Sequence, residues 1–406
     1  MQRHRFHPAL LALVLVCAAV GGGRAEAAPC RNTADFGRWM QGFRQEAAAK
    51  GVTARTISAA LDGLTLDESV IARDRRQGFF TQSFLDFQAK LATNNRLRSG
   101  LNQIARHRAL FDKVEKEHGV PPAVITAFWA LESDFGVGMG KLPVLRSLAA
   151  LAYDCRRGEM FRVELMEALR IIDRGDLKPA DMIGSWAGEL GQTQFLPSHY
   201  NKHAVDYDGD GRRDLMRSAP DIVASTARFI AFLGWQRGGP WLEEVRVPER
   251  LAWDQADLAI QHPRAKWAEW GVTRANGSAL PKDGLPASLI LLMGRNGPAF
   301  LAYPNFRVFT EWNKSLNYAT TAAYLATRLN GAGPMGHGRA PVTPLDASAM
   351  REIQQLLARR GHDVGEIDGR LGVSTRAAVK KEQMRLGLPA DSYPTAELLE
   401  RMRPGR

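Results

Sequence analysis

Glu132 closes an uncharged run, Ala123 to Leu131, that opens on Pro121-Pro122 and is followed by Ser133-Asp134-Phe135-Gly136. Proline belongs in the first turn of a helix. The run therefore predicts a helix with a carboxylate in its last turn. Burial among apolar neighbours disfavours the charged form of that carboxylate. The negative end of the helix dipole disfavours it again. Both effects raise the pKa, which suits a general acid working near neutral pH. The plainer alternative is a glutamate that faces solvent at a helix end.

A second constellation runs from Ser185 to Ser198 and holds Trp186, Gly188, Glu189, Gly191, Gln192, Gln194 and Phe195. It is not amphipathic. Glycine allows close backbone approach to a ligand, and glutamine both donates and accepts hydrogen bonds. Amides beside aromatic faces suit a sugar. A tight glycine turn packed on the core is the competing reading. A third cluster, Asp206-Tyr207-Asp208-Gly209-Asp210-Gly211, sets three carboxylates at alternate positions before a glycine. That is the opening half of a calcium loop. Arg217 stands at the twelfth position, where such loops carry Glu. An acidic turn held by arginine pairs and backbone hydrogen bonds is the alternative.

Three weaker patterns fail on spacing. Gly136 to Lys141 has Leu142 where a phosphate loop needs Ser or Thr. His199 and His203 lack a third zinc ligand. Ser185 is one place too early for a nucleophile elbow.

These side chains need a scaffold. Apolar spacing predicts helices over residues 35–49, 53–61, 82–98, 101–118, 162–173, 219–233 and 319–329. Ser288–Met293 and Phe306–Thr310 are expected as short strands. A Gly/Pro-rich stretch, residues 331–344, then reads as a linker. A compact unit, residues 345–402, follows, with helices over 347–360, 375–386 and 396–402 and an apolar face at Ile353, Leu356 and Leu357. The fold class is mainly α, with a large domain at 28–330. At 406 residues, 45% hydrophobic and 24% charged, the chain is no disordered polymer.

The formal charge of +11 permits nucleic acid, a membrane surface or an anionic polymer as partner. The N-terminus narrows this. Arg3 and Arg5 precede an apolar run, Ala9 to Val20, and small residues from Ala25 to Ala28. That is the pattern of a cleaved export signal over residues 1–27. The run is too short for a membrane span, and no later segment is long enough. Neither Cys17 nor Cys30 has the context of a lipidated cysteine. Cleavage would remove Arg3, Arg5, Arg24 and Glu26, which takes the charge to +9. Export makes nucleic acid an unsuitable partner. Cys30 and Cys155 would remain, and an oxidising compartment favours a disulfide between them.

The motifs resemble those of a known family. Trp129-Ala130-Leu131-Glu132-Ser133-Asp134-Phe135-Gly136 resembles the catalytic segment of lytic murein transglycosylases. Gly188 to Ser198 resembles their Gly-Gln-Phe-Pro-Ser block. Phe306-Arg307-Val308 through Asn313, with Tyr318-Ala319, is similar to a third block of the lytic murein transglycosylase B family. The three occur in family order over roughly residues 33–330. The C-terminal unit is similar to a three-helix peptidoglycan-binding domain through Ile353 to Leu357, Gly361, Asp368-Gly369 and Ala378-Val379.

The resemblance implies a lysozyme-like helical fold and cleavage of the β-1,4 bond between N-acetylmuramic acid and N-acetylglucosamine. It implies attack by the muramic acid's own 6-hydroxyl, giving 1,6-anhydro ends, with Glu132 as acid and then base. One carboxylate suffices there, whereas ordinary glycosidases use two. Ser185, Gln194, Asn313 and Tyr318 fall where the family places cleft polar groups, with Gln192 nearby. Glu189-Leu190 departs from the family's usual Ala-Met, so Glu189 is a candidate second carboxylate. A surface or structural Glu is the alternative. The resemblance also lets a later acid close the calcium loop, and Asp221 fits. The expected protein is a monomeric periplasmic enzyme that needs no cofactor, carries a candidate structural calcium, and acts on peptidoglycan strands. The rival expectations are a hydrolytic muramidase on the same fold and a non-catalytic wall-binding protein.

Overall fold

The computed structural model describes residues 35–76 and 82–403. The expected export segment and Cys30 lie outside the described residues; Cys155 is disulfide-bonded.

The N-terminal half is a succession of short helices, most of them begun by a side-chain cap that satisfies an unpaired backbone N–H. Asp35 caps α1 (Phe36–Ala49) and Thr53 caps α2 (Ala54–Leu61). Asp67 caps α3 (Glu68–Arg75), Ser83 caps α4 (Phe84–Leu91) and Thr93 caps α5 (Asn94–Arg106). α6 (Arg108–His118) ends on a left-handed Gly119. Two helices expected between residues 82 and 118 are therefore three. The expected break at Ser99-Gly100 does not occur. Gly100 instead lets α5 lie against its neighbours, since a Cβ there would stand 2.8 Å from the Leu329 side chain.

α7 (Pro122–Ser133) starts on proline and is buried from Ala123 to Ala130. Then come β1 (Leu142–Pro143), α8 (Val144–Tyr153), α9 (Gly158–Arg174) and β2 (Ile183–Gly184), with β1 and β2 antiparallel. α10 (Pro197–His203) and α11 (Ala219–Phe232) complete this half.

A small sheet lobe follows. Its elements are β3 (Leu242–Arg246), β4 (His262–Pro263), α12 (Arg264–Glu269), β5 (Thr273–Arg274), β6 (Pro286–Ile290) and β7 (Ala299–Ala302). The strand order is β4-β6-β7-β3-β5, antiparallel throughout. Strand side chains alternate between faces. Phe300 and Ala302 join the core of the helical body, while Ala299 and Leu301 join Trp253, Trp267 and Leu289 in the lobe's own core.

Phe306–Thr310, expected as a strand, belongs to helix α13 (Phe306–Trp312). A short apolar run fits either element. The flanking Asn305 decides it. Its amide donates to the carbonyls of Gln236 and Gly239 and accepts from Gln236 N, which pins the chain as it leaves the sheet. α14 (Leu316–Leu329) begins earlier than the expected Ala319, because the Ser315 hydroxyl caps it by accepting from Tyr318 N. Tyr318 thus lies in the first turn of a helix.

The C-terminal unit has three helices, α15 (Ala347–Arg359), α16 (Val373–Arg385) and α17 (Ala396–Met402), around Ile353, Leu357, Val379, Leu398 and Met402. The stretch at 331–344 is not a loose tether. Met335 N donates to the Tyr324 hydroxyl, Gly336 N to Glu244 and Arg339 N to the Asn296 carbonyl. The unit itself is docked. Arg376 donates to the carbonyls of Leu291 and Leu292, Asp391 accepts from Arg295 N, and Lys380 pairs with Asp257 at 3.0 Å.

Candidate active site

Glu132 sits in the last turn of α7, and three successive left-handed residues end that helix: Asp134 (φ 51°), Phe135 (φ 59°) and Gly136 (φ 92°). Two of these are not glycine, so local strain is stored here. Surrounding contacts hold it. Asp134 pairs with Arg96 at 3.3 Å, and Phe135 lies edge-on to Trp129 with ring centres 5.4 Å apart.

Two donors converge on one oxygen of Glu132. Trp312 Nε1 donates to Oε1 at 2.8 Å, and the Tyr318 hydroxyl donates to the same atom. Trp312 is itself fixed by stacking on Phe128, 4.2 Å between centres. No described protein group donates to or accepts from Oε2. An oxygen accepting two hydrogen bonds has no room for a proton of its own, so the neutral acid carries its proton on Oε2. Burial pushes the carboxyl up to about 7; the Tyr318 and Trp312 bonds pull it down, and the charge of Glu189 pushes it further up. The half-buried carboxyl is thus held at the border between acid and base. Burial, with the neighbouring Glu132, keeps the Tyr318 phenol well above its ordinary value, as a neutral donor.

The segment from Ser185 to Phe195 forms the facing wall. Ser185 Oγ accepts from the backbone of Ala187 and Glu189 and donates to Glu189 Oε2 at 2.9 Å. Glu189 is half-buried, and burial raises its carboxyl against the pull of Ser185 and Arg157. Its charge raises the pKa of both Glu132 and Tyr318. Gln194 adopts φ 50° and donates to the Gly191 and Met139 carbonyls, which leaves its side-chain oxygen without a donor among the described residues.

Gln192, expected in the cleft, is spent on structure. Its oxygen accepts from Trp129 Nε1 at 2.7 Å and its nitrogen donates to the Met216 carbonyl at 2.9 Å. It staples this wall to α7. Asn313 ends α13 and accepts from Ser315 N, which sets the entry to α14 and so the position of Tyr318. Trp312 was not singled out by the sequence reading. A buried indole N–H needs an acceptor, but nothing in its spacing says that the acceptor is Glu132.

The acidic loop is a separate feature. Oxygens of Asp206, Asp208 and Asp210 lie within 4.8 Å of one another on the surface. Three hard oxygen donors at that spacing fit a calcium ion. Asp221 does not join them. It is buried and accepts from Tyr207 N and Asp214 N, both at 2.7 Å. It braces the loop from inside.

The chain is similar to known proteins. A family model described as "Transglycosylase SLT domain" matches residues 35–327, and one described as "Putative peptidoglycan binding domain" matches residues 346–402. Membrane-bound lytic murein transglycosylase B of Escherichia coli (strain K12) is 29% identical over 244 residues, 58% of this chain. The match spans 64% of that relative's length. SltB3 from Pseudomonas aeruginosa, solved in complex with NAG-anhNAM-pentapeptide, is 41% identical with a TM-score of 0.85, covering 91% of this chain and 99% of that one. The Escherichia coli lytic transglycosylase Slt35, solved in complex with calcium, is 26% identical with a TM-score of 0.62, covering 72% and 92%.

Proposed function

Because the chain belongs to the transglycosylase SLT domain family, we propose that it cuts the glycan strands of peptidoglycan between N-acetylmuramic acid and N-acetylglucosamine without using water. The observation that carries this reading is Glu132, a carboxyl at a pKa of about 7 with both protein donors on one oxygen. Oε2 gives its proton to the glycosidic oxygen as the bond to the muramic C1 breaks. The 6-hydroxyl of the same sugar then attacks C1, and its proton returns to Oε2. A 1,6-anhydromuramic end and a free 4-hydroxyl result, and every atom is accounted for. A nucleophile tethered to the reacting sugar needs positioning more than activation. Ser185, Gln194 and Asn313 are read as cleft polar groups, and Tyr318 with Trp312 as the fixtures of Glu132. SltB3 is solved both with NAG-NAM-pentapeptide and with NAG-anhNAM-pentapeptide, and the second supports this product here.

The remaining assignments belong to the same reading. Residues 1–27 direct export to the periplasm, residues 28–330 are the catalytic unit, 331–344 the connector and 345–402 the wall-binding unit. Cys30 pairs with Cys155. Asp206, Asp208 and Asp210 hold a calcium ion that supplies charge neutralisation to the loop and takes no part in the chemistry; a relative's calcium complex supports this. A second reading is hydrolysis with Glu189 as base for a water, favoured by the charge of Glu189 acting on Glu132.

Digestion of purified sacculi followed by mass spectrometry of the released fragments tests the proposal. Anhydro ends are expected, and Glu132→Gln is expected to reduce release about 10³-fold or more. Reducing ends would transfer the assignment to hydrolysis. Release unaffected by the substitution would remove Glu132 from its role.

A further inference from the structure

A cavity of about 590 Å³ opens where the C-terminal unit meets the helical body. Its walls come from α4 and its cap (Phe87, Ser83), from the turn Lys314–Asn317, and from Gly369–Val373 of the C-terminal unit. Nothing in the proposed glycan chemistry uses this space, yet it shares a wall with the site. Ser315 caps the helix turn that carries Tyr318, and Asn317 is the residue before it. The donor on Glu132 and the cavity wall are thus neighbours on one turn.

Two features of the cavity point to a ligand with a carboxylate. Arg370 lines it, and its Nε is buried without a hydrogen-bond acceptor. The nearest carboxylate, Asp368, stands 3.9 Å away, beyond hydrogen-bond reach. The rest of the guanidinium is within reach, the side chain being 39% exposed, and an incoming anion would supply the close partner that Asp368 does not. The second feature is the lining itself. Hydroxyl and amide groups of Ser83, Ser315 and Asn317 face the same space as Phe87 and Tyr393. That mixture suits a peptide backbone with small side chains rather than an apolar ligand. Lys314 is already committed to Glu311 at 2.6 Å, so Arg370 is the cation on offer. The far wall is rigid, since the Arg376 guanidinium is fastened to two carbonyls of the helical body's side.

We propose that this junction cavity receives a carboxylate-bearing peptide, the stem carried by the muramic sugar of the strand being cut, with Arg370 as its anion contact. The proposal rests on the peptidoglycan reading above. A stem branches sideways from the glycan, so it leaves the cleft where the strand itself continues. The C-terminal unit is then a wall of the substrate site as well as an anchor.

The test uses the full chain carrying Glu132→Gln, so that ligand is bound and not consumed. Calorimetry compares NAG-NAM-pentapeptide, the same disaccharide without peptide, and the free pentapeptide. Arg370→Ala removes the cation, and Val373→Trp, at a position 78% exposed, fills the cavity mouth without touching the core. Each is expected to weaken the stem-bearing ligand about tenfold or more and to leave the stemless one unchanged. Free pentapeptide is expected to bind weakly and to lose that binding in both variants. Equal weakening of stemmed and stemless ligands, or no change in either, overturns the proposal. Melting curves matching the parent exclude misfolding as the cause. Absence of any fragment release from sacculi by the wild-type chain would sink the parent reading, and this one with it.

Discussion

Trp312 and Glu189 act on Glu132 in opposite directions, and that opposition can be measured. A general acid must be protonated in the free enzyme, so kcat/KM falls as pH rises through the pKa of Glu132, about 7. Trp312→Phe keeps a ring to stack on Phe128 but removes a donor that favours the ionised carboxylate. The pKa rises, and the alkaline limb moves to higher pH. Glu189→Gln removes a negative charge that disfavours ionisation. The pKa falls, and the limb moves to lower pH. Profiles of kcat/KM on a soluble glycan check both, and shifts of the same sign would refute this account of the electrostatics. The burial of Glu132 was legible in the sequence because nine uncharged residues precede it. Its donors were less so. Tyr318 came from a block shared with relatives, whereas Trp312 lies 180 residues away in sequence and meets the carboxylate only through the fold. Gln192 illustrates the converse: residue type suggested a ligand contact, and tertiary packing uses the amide as a staple.

Among the elements, the short ladder of β1 and β2 has the largest leverage on the site, because Ser185 directly follows it. The ladder depends on Gly140. At φ 101°, a Cβ there would stand 2.0 Å from the Gly184 carbonyl oxygen. Gly140→Ala must therefore open the ladder. The expected cost is about 3 kcal/mol or more, read by chemical denaturation, together with a fall in kcat/KM as Ser185 and Glu189 are displaced. A variant with wild-type stability would show that the loop relaxes without the ladder. The acidic loop carries an independent expectation. Three clustered carboxylates repel one another, and calcium relieves this. At 1 mM calcium, an exposed site of modest affinity stabilises by about 1 kcal/mol, seen as a rise in Tm that Asp208→Asn abolishes. Most helices were legible from apolar spacing, as over 35–49, 53–61 and 219–233. Of the sheet lobe only β6 was, over Ser288–Ile290 of the strand expected at Ser288–Met293. Its strands are two to five residues long and buried on both faces at β6 and β7, so they show little alternation.

At the scale of the molecule, the question is whether the two units move independently. Glycine and proline at 331–344 suggested a tether, because composition reports what a segment permits and not what it touches. In the fold this stretch is laid along the sheet lobe, and the following unit is fastened by Arg376. Its guanidinium is partly withdrawn from water at the junction, and that burial pulls its pKa down to about 10. Such a group is retained only where its donors are met. The carbonyls of Leu291 and Leu292 meet them, at a chain exit where no strand partner does. Arg376→Met preserves the length of the side chain and removes the donors. The Leu292 carbonyl is then left unpaired, whereas that of Leu291 keeps its bond from Gly294 N; the cost of about 1–3 kcal/mol falls on docking alone because the C-terminal core of Ile353, Leu357 and Leu398 is separate. The unit is expected to stay folded and to swing free. Limited proteolysis should then cut near residues 341–346 faster than in the wild type, and the radius of gyration from small-angle scattering should increase. Unchanged cleavage and an unchanged radius would mean that Asp391 and Lys380 hold the junction without Arg376, and that the fixed wall beside Tyr318 has a broader footing than one arginine.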